Sequence, residues 1–186
     1  MDVEQAIRSR RTIKAFEPKP VDRETLAELL ELARWAPNHH LTNPWRFRVL
    51  GPRALERLKR AAAELAAHDA PPGADPGELA RAAAAKLDRA PTLVAVSAKR
   101  SIDPVQDEED RHASSIAAYI VLLGAHARGL AGYWRTPHVL RTEAGAAAID
   151  LPPDELFVGL LHLGQAKQPA SPPEREPPAS YTTFLD

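Results

Sequence analysis

Residues 116–125 read IAAYIVLLGA, a stretch without a charge and with a single hydroxyl. A helix that is apolar on nearly all sides has no face to give to water, so it belongs at the centre of a core. The run free of acids, bases and histidine extends only from Ala113 to Ala125, well short of the ~20 residues that cross a bilayer. The segment is therefore read as the buried helix of a globular domain. It grows out of an acidic stretch, Asp107–Asp110, and continues through Leu123 to Ala127.

The rest of the chain arranges itself around that helix. Thr92–Ala98 reads as a buried strand, Ala131–Arg135 as a short strand, and Leu156–Leu163 as the most strand-like run of all. Trp45–Leu50 suits a fourth strand. Residues 2–9 form a short helix, and Pro18 and Pro20 then hold the chain extended. Asp22 is an N-cap, with Val21 and Leu26 spaced as a hydrophobic staple. Leu26, Leu29, Leu30 and Ala33 repeat at helical period until Pro37. Gly51-Pro52 opens a helix with Leu55, Leu58, Ala62 and Leu65 on one side. The stretch 69–77, DAPPGADPG, is a loop. A helix over Glu78–Arg89 and another over 141–149 complete the count. Beyond Gly164 the prolines at 169, 172, 173, 177 and 178 exclude helix and central strand. That arm still ends in Tyr181, Phe184 and Leu185, so it should finish on its own core or on a partner subunit. Four strands among more numerous helices define a single α+β domain over 1–186.

The bulk composition narrows function by exclusion. With 44% hydrophobic and 26% charged residues and a net charge of −1, no global field recruits nucleic acid or an anionic membrane. The absence of cysteine excludes disulfides, thiol catalysis and Cys-ligated metal. The N-terminus has no apolar stretch of signal-peptide length, so a soluble, cytoplasmic protein is expected. Neither phosphate-binding glycine motifs, nor G-x-S-x-G, nor H-E-x-x-H occurs. The adjacent His39-His40 and the cluster Asp107–Asp110 beside His112 do not make a metal site. A solvated helix start, with acids favoured by the dipole, explains the cluster better.

What remains is anion binding. Arg8, Arg10, Arg11 and Lys14 crowd together with no acid between Glu4 and Glu17. Composition alone favours a solvated basic surface. However, Ile13 and Phe16 interleave with the cations and pin the segment to the body, and anchored arginines suit bidentate grip of a phosphate. A second cation, Arg135, lies between Trp134 and Thr136 at a strand end. The loop 36–50, APNHHLTNPWRFRVL, reads either as a polar turn whose Trp45 and Phe47 enter the core or as the wall of a flat ligand.

Four blocks, RRTIKAFEP (10–18), WAPNHHLTNPWRFRVL (35–50), GLAGYWRTP (129–137) and FVGLLHLGQAKQP (157–169), resemble in order the nitroreductase family of FMN enzymes. The resemblance runs from residue 3 to about 169 and is closest to the short, compact members. It implies a nitroreductase-like α+β sandwich with a central, mostly antiparallel sheet flanked by helices. It also implies a homodimer with FMN at the subunit interface and the C-terminal arm exchanged. On this resemblance Arg10, Arg11 and Thr12 meet the phosphate and ribityl chain, and Lys14 approaches the pyrimidine edge. His39 reaches FMN from the dimer partner, His40 is an exposed neighbour, and Trp35 joins His39 as pocket wall. Trp134, Arg135 and Thr136 line the flavin. Gly124, Ala125, His126, Ala127, Arg128 and Gly129 serve the nicotinamide nucleotide, while Lys167 or Arg175 could add charge at the phosphate.

This sequence departs from the family in carrying Leu41 where asparagine is frequent, Asn43 in place of glutamine, and Trp35 in place of the arginine of close relatives. These changes bear on pocket shape and substrate rather than on FMN. The implied activity is ping-pong hydride transfer from NAD(P)H through FMN to a nitroaromatic or quinone. Its rivals are another reaction on the same fold (enone reduction, dehalogenation, oxidative use of the flavin), a non-catalytic flavin-binding protein, and a helical module that presents its basic N-terminus to an acidic partner.

Overall fold

The computed structural model describes residues 1–185. Its centre is a four-stranded antiparallel sheet in the order β1 (Trp45–Val49), β2 (Thr92–Lys99), β4 (Glu155–Gly164), β3 (Ala131–Arg135). Residues 92–98 of β2 are all buried because β2 is an inner strand with helices on both faces. On one face lie α5 (Pro104–Ala127) and α2 (Arg23–Ala33), which bury Leu26, Leu29, Ala117 and Val121 against Val94, Val96, Leu161 and Leu163. The other face is covered by α3 (Pro52–His68), α4 (Pro76–Ala85) and α6 (Glu143–Ala148), over a core containing Leu58, Leu87, Leu140 and Leu160. Neighbouring residues of β4 thus feed opposite cores, as strand alternation requires.

The capping chemistry is where the sequence puts it. Asp22 accepts from the Thr25 backbone N–H at 2.8 Å, and Gly51-Pro52 starts α3. Two boundaries move. The fourth helix begins at Pro76 and ends at Ala85, because Asp75 accepts from Gly77 N–H and Pro76 occupies the first turn. The sixth is shortened to Glu143–Ala148, preceded by a 3₁₀ turn at His138–Arg141.

Two expectations need correction, and one of the two ends left open for the arm is removed. Helix α5 is not enclosed all round: Ala117, Val121 and Ala125 are buried, but Ile116 and Tyr119 on its outer side are exposed. Its acids are not simply a solvated start either. The helix begins earlier, at Pro104, and Asp110 is only 5% exposed. The arm does not finish on its own core, since Phe184 and Leu185 are 90% and 91% exposed.

Beta-strand β4 carries an irregularity opposite Val96/Ser97, beside Gly159. A Cβ at Gly159 would run into the Trp134 indole on β3, so the missing side chain lets Trp134 lie across the neighbouring strand. The extended segment 10–17 closes onto the other end of this strand pair. Thr12 bridges Gly132, Phe16 bridges Ala166, and Glu17 N–H donates to the Gln165 carbonyl at 2.9 Å. Phe16 is buried against Tyr133, which in turn stacks on the buried His162 with ring centroids 4.3 Å apart.

Candidate functional site

The basic segment does not lie loose on the surface. It borders a cleft of about 300 Å³ shaped by Ser9, Arg10, Arg11, His126, Gly132 and Ala166. The guanidinium of Arg10 lies 5.8 Å from the Tyr119 ring centroid, within cation–π range. Its Nε is buried and has no hydrogen-bond partner among the described residues. A buried charged donor left unpaired is costly, so the cleft has the character of a site prepared for an acceptor. Arg11 folds back, donating to the Arg8 and Arg10 carbonyls at 2.6 and 2.8 Å.

The far wall is the end of α5. The Ser9 hydroxyl donates to the Gln5 carbonyl at 2.6 Å and lies 2.7 Å from His126 Nε2. A serine has one hydroxyl proton, so His126 Nε2 must be the donor in the second contact. Burial, and then the charges of Arg10 and Arg11, hold the imidazole below its ordinary range. Gly129, at φ 76°, turns the chain out of α5 and back into β3.

Beyond the cleft, β3 is an edge strand. Among the described residues only the Thr12–Gly132 bridge occupies its outer edge, so the backbone donors and acceptors toward Arg135 are open to a ligand. Thr12, Lys14 and Thr136 are exposed along this border, and Lys14 forms no ion pair among the described residues. Trp134 is half-buried on the α5 side. Arg135 points to the opposite face, donates to the Lys86 carbonyl at 3.3 Å and borders a separate 230 Å³ pocket with Leu65, Leu87 and Val139. The structure therefore does not bring the Arg135 guanidinium to the Arg10 cleft.

The stretch 124–129 divides. Ala125 is wholly buried, and a Cβ on Gly124 would lie 2.7 Å from Leu32 Cδ1, so neither presents a side chain to a nucleotide. Arg128 is drawn to Glu28 at 3.2 Å. Gly124 and Ala127 edge an apolar groove of about 330 Å³ with Val3, Leu32, Trp35 and Leu123. Trp35 is 74% exposed there and closes no core. His126 and Gly129 alone face the cationic cleft.

The loop before β1 is held in an unusual shape. His40, Leu41 and Asn43 have φ of 56°, 51° and 47°, a region that costs of order 1 kcal/mol or more for each such residue. Side chains fix it. Asn38 Oδ1 accepts from Asn43 N–H at 2.9 Å, Thr42 Oγ1 donates to Asp110 at 2.5 Å, and His39 Nδ1 meets Glu109 at 2.8 Å. The His39 and His40 rings stack at 3.8 Å. Trp45 is buried and Phe47 packs against the same core. His39 sits at the start of α5 and His126 at its end, separated by about 25 Å at ~1.5 Å per residue. Within one chain they cannot touch the same flavin.

Two features escaped the sequence reading. One is the Asp110–Thr42 tie. The other is a half-buried clamp in which Arg48 donates to Glu155 at 2.7 and 3.0 Å and Ser97 donates to the same carboxylate. Burial would raise that carboxyl, but the Arg48 and Ser97 hydrogen bonds outweigh it and hold it below its ordinary range.

The chain is thus an α+β sandwich with a cationic cleft at one end of an open edge strand. The sequence profile of the Nitroreductase family matches residues 7–165, and the chain belongs to that family. A 5,6-dimethylbenzimidazole synthase of Rhodospirillum rubrum is 30% identical over 179 residues, spanning 90% of this chain and 83% of that protein. A nitroreductase-like family protein from Bacillus cereus superposes with a TM-score of 0.84 at 22% identity, covering 100% of this chain and 97% of the other. A structure from Desulfovibrio desulfuricans in complex with FMN gives 0.75 at 25% identity, with 100% and 98% covered. The fold is nitroreductase-like. No helix among the described residues is long and apolar enough to cross a membrane.

Proposed function

We propose that the chain is an FMN-dependent oxidoreductase. It would accept hydride from NAD(P)H and pass it in a second half-reaction to an electron-poor acceptor such as a nitroaromatic or quinone. The observation that carries this is the buried, unpartnered Nε of Arg10, in a cationic cleft that adjoins the open edge of β3. The relative from Desulfovibrio, solved with FMN, supports the same cofactor.

On this reading Arg10 and Arg11 hold the phosphate, and Thr12 meets the ribityl chain. From Gly132 to Thr136 the edge of β3 runs for about 13 Å at ~3.3 Å per residue, room for the ribityl chain and ring to extend beside Trp134 and Thr136. FMN supplies hydride transfer, and the protein supplies position and electrostatics. Lys14, exposed and without an ion pair, stabilises negative charge at the pyrimidine edge. No side chain acts as nucleophile.

The active form is a homodimer. Val3 and Trp35 border one apolar groove and Ile7, Ile116 and Tyr119 are exposed as well, apolar surface that a partner would cover, and the arm ends in bare aromatic and aliphatic groups. A partner is also what would bring His39 to a flavin. The test is direct: purified protein should be yellow, release FMN on heating, and oxidise NAD(P)H only when a nitroaromatic or quinone is present. Colourless protein that binds no added FMN would end this reading.

A second reading keeps FMN and changes the reaction, because the 30% identical relative is named for making 5,6-dimethylbenzimidazole. Turnover under nitrogen separates the two. Reduction of a nitroaromatic favours the first, and activity that requires oxygen favours the second.

A further inference from the structure

We propose that His126 is a direct ligand of the FMN phosphate and takes up a proton as the anion binds, rather than serving the nicotinamide nucleotide. The proposal rests on the FMN reading above and deepens it. Its starting point is the shared cleft: His126 lines the same cavity as Arg10 and Arg11, while Arg128 of the same segment is turned away onto Glu28.

The hydrogen bonds then fix which nitrogen is free. The Ser9 proton is committed to the Gln5 carbonyl, so Nε2 of His126 carries a proton and donates to Ser9 Oγ at 2.7 Å. Nδ1 has no partner among the described residues. In the neutral ring it is a bare lone pair that repels a phosphate oxygen, and in the cation it is a donor. The ligand therefore decides the state. Without an anion, burial and then the facing charges of Arg10 and Arg11 lower the pKa of the ring and favour its neutral form. A phosphate placed between these groups reverses the sign of the field.

The groups that face the ring are few. Ser9 comes from α1 (Val3–Ser9), Arg10 and Arg11 from the segment after it, and Met1 from the chain start. Ala166, Pro169 and Ala170 beyond β4 bring no titratable side chain. Among the described residues no carboxylate lines the cleft, so the bound phosphate is the anion that would stabilise the imidazolium. Ser9 acts as the fixed point that orients the ring.

The experiment measures binding of FMN, and of riboflavin as the phosphate-free probe, to flavin-stripped full-length protein between pH 5.5 and 8.5. Titration calorimetry in two buffers of different ionisation enthalpy counts the protons. Phosphate itself titrates near pH 6, but that contribution is common to wild type and His126→Gln and cancels between them. We expect His126→Gln to weaken FMN binding by about tenfold at pH 6 and about threefold or less at pH 8.5, the difference between a charged and a neutral hydrogen bond. Wild type should take up protons on binding FMN that the variant does not, and riboflavin should show neither effect.

His126→Lys, which keeps a cation, should restore affinity at high pH. Apo melting temperatures of all three proteins exclude a folding defect. Curves for wild type and His126→Gln that run parallel across the pH range, with FMN bound by both, would overturn the proposal. So would unchanged FMN affinity with a raised KM for NAD(P)H, which would return His126 to the nicotinamide nucleotide. Failure of wild type to bind FMN at any pH is a different result, and it would overturn the flavin reading first.

Discussion

His162 should make the flavin-free protein acid-sensitive, and its replacement should remove that sensitivity. The ring is wholly buried and stacked on Tyr133, with Nδ1 3.4 Å from the Leu160 carbonyl and Nε2 without a hydrogen-bond partner among the described residues. Burial, followed by the nearby Arg135 charge, pushes its pKa from 6.5 down to about 4. The folded pKa is the lower one. Below ~6.5 the unfolded chain therefore takes a proton that the folded chain refuses, and stability falls as pH drops toward about 4. Under that value both states are protonated and no further loss accrues.

At ~1.36 kcal/mol per tenfold change in proton activity, the loss is about 3 kcal/mol, or about 6–12 °C in Tm for a chain of this size. In His162→Leu the stack on Tyr133 is lost, a cost of about 0.5–1.5 kcal/mol. Removing the unsatisfied Nε2 offsets it by a similar amount. The two proteins should therefore be nearly equal at pH 7. Urea titrations of the apo-proteins from pH 7 to pH 4 test this, since titrating carboxylates are common to both and drop out of the difference. Stability curves that stay parallel over that range would refute the assignment of a neutral buried imidazole.

Arg10→Ala should purify pale and regain activity with added FMN, since a charged hydrogen bond is worth ~1.5–3 kcal/mol, roughly a 10- to 150-fold rise in Kd. Lys14→Met should purify yellow with a lowered flavin potential in a dye-coupled titration; equal FMN loss in both would show one undivided cation cluster. Because Trp35 is 74% exposed, Trp35→Ala should cost less than ~1 kcal/mol of subunit stability, far below the ~3–5 of a buried aromatic. It should nevertheless weaken the dimer in sedimentation experiments, as should deletion of residues 170–186. Asp110→Ala removes the short Thr42 tie, leaving its hydroxyl only a 3.5 Å contact to Asn38, and frees a strained loop, so we expect a loss of about 1–3 kcal/mol and faster hydrogen exchange at residues 38–43. Unchanged exchange there would deny Asp110 its tie to the loop.

The elements were legible wherever a local rule acts alone. Asp22, Gly51-Pro52 and the alternation of β4 specify their structure without help from distant residues. The apolar run of α5 was harder, because Ile116 and Tyr119 have the same hydrophobicity whether they face a core or another molecule. Four consecutive acids read as solvated, yet Asp110 shares a helical stripe with Ala113, Ala117 and Val121, all buried. That i, i+3, i+7 spacing was available and is the signal that marks it. Trp134 and Arg135 could not both line one surface, since adjacent strand residues point to opposite faces. The pairing of His126 with Ser9 was invisible, because it depends on where α5 ends relative to α1 and not on any spacing along the chain.

Helix α5 holds the strained loop through Glu109 and Asp110 near its start and lines the cationic cleft through His126 at its end. Any change in its length alters both the distance and the angle between those tasks. One inserted residue would advance His126 by about 1.5 Å and turn it by about 100°, carrying the imidazole out of the cleft and an apolar neighbour into it. The loop between α3 and α4 has no such duty, since residues 71–74 are exposed and join two helices already packed together. Length variation among natural and engineered forms of this protein should therefore collect at 71–74 and be absent between 109 and 126.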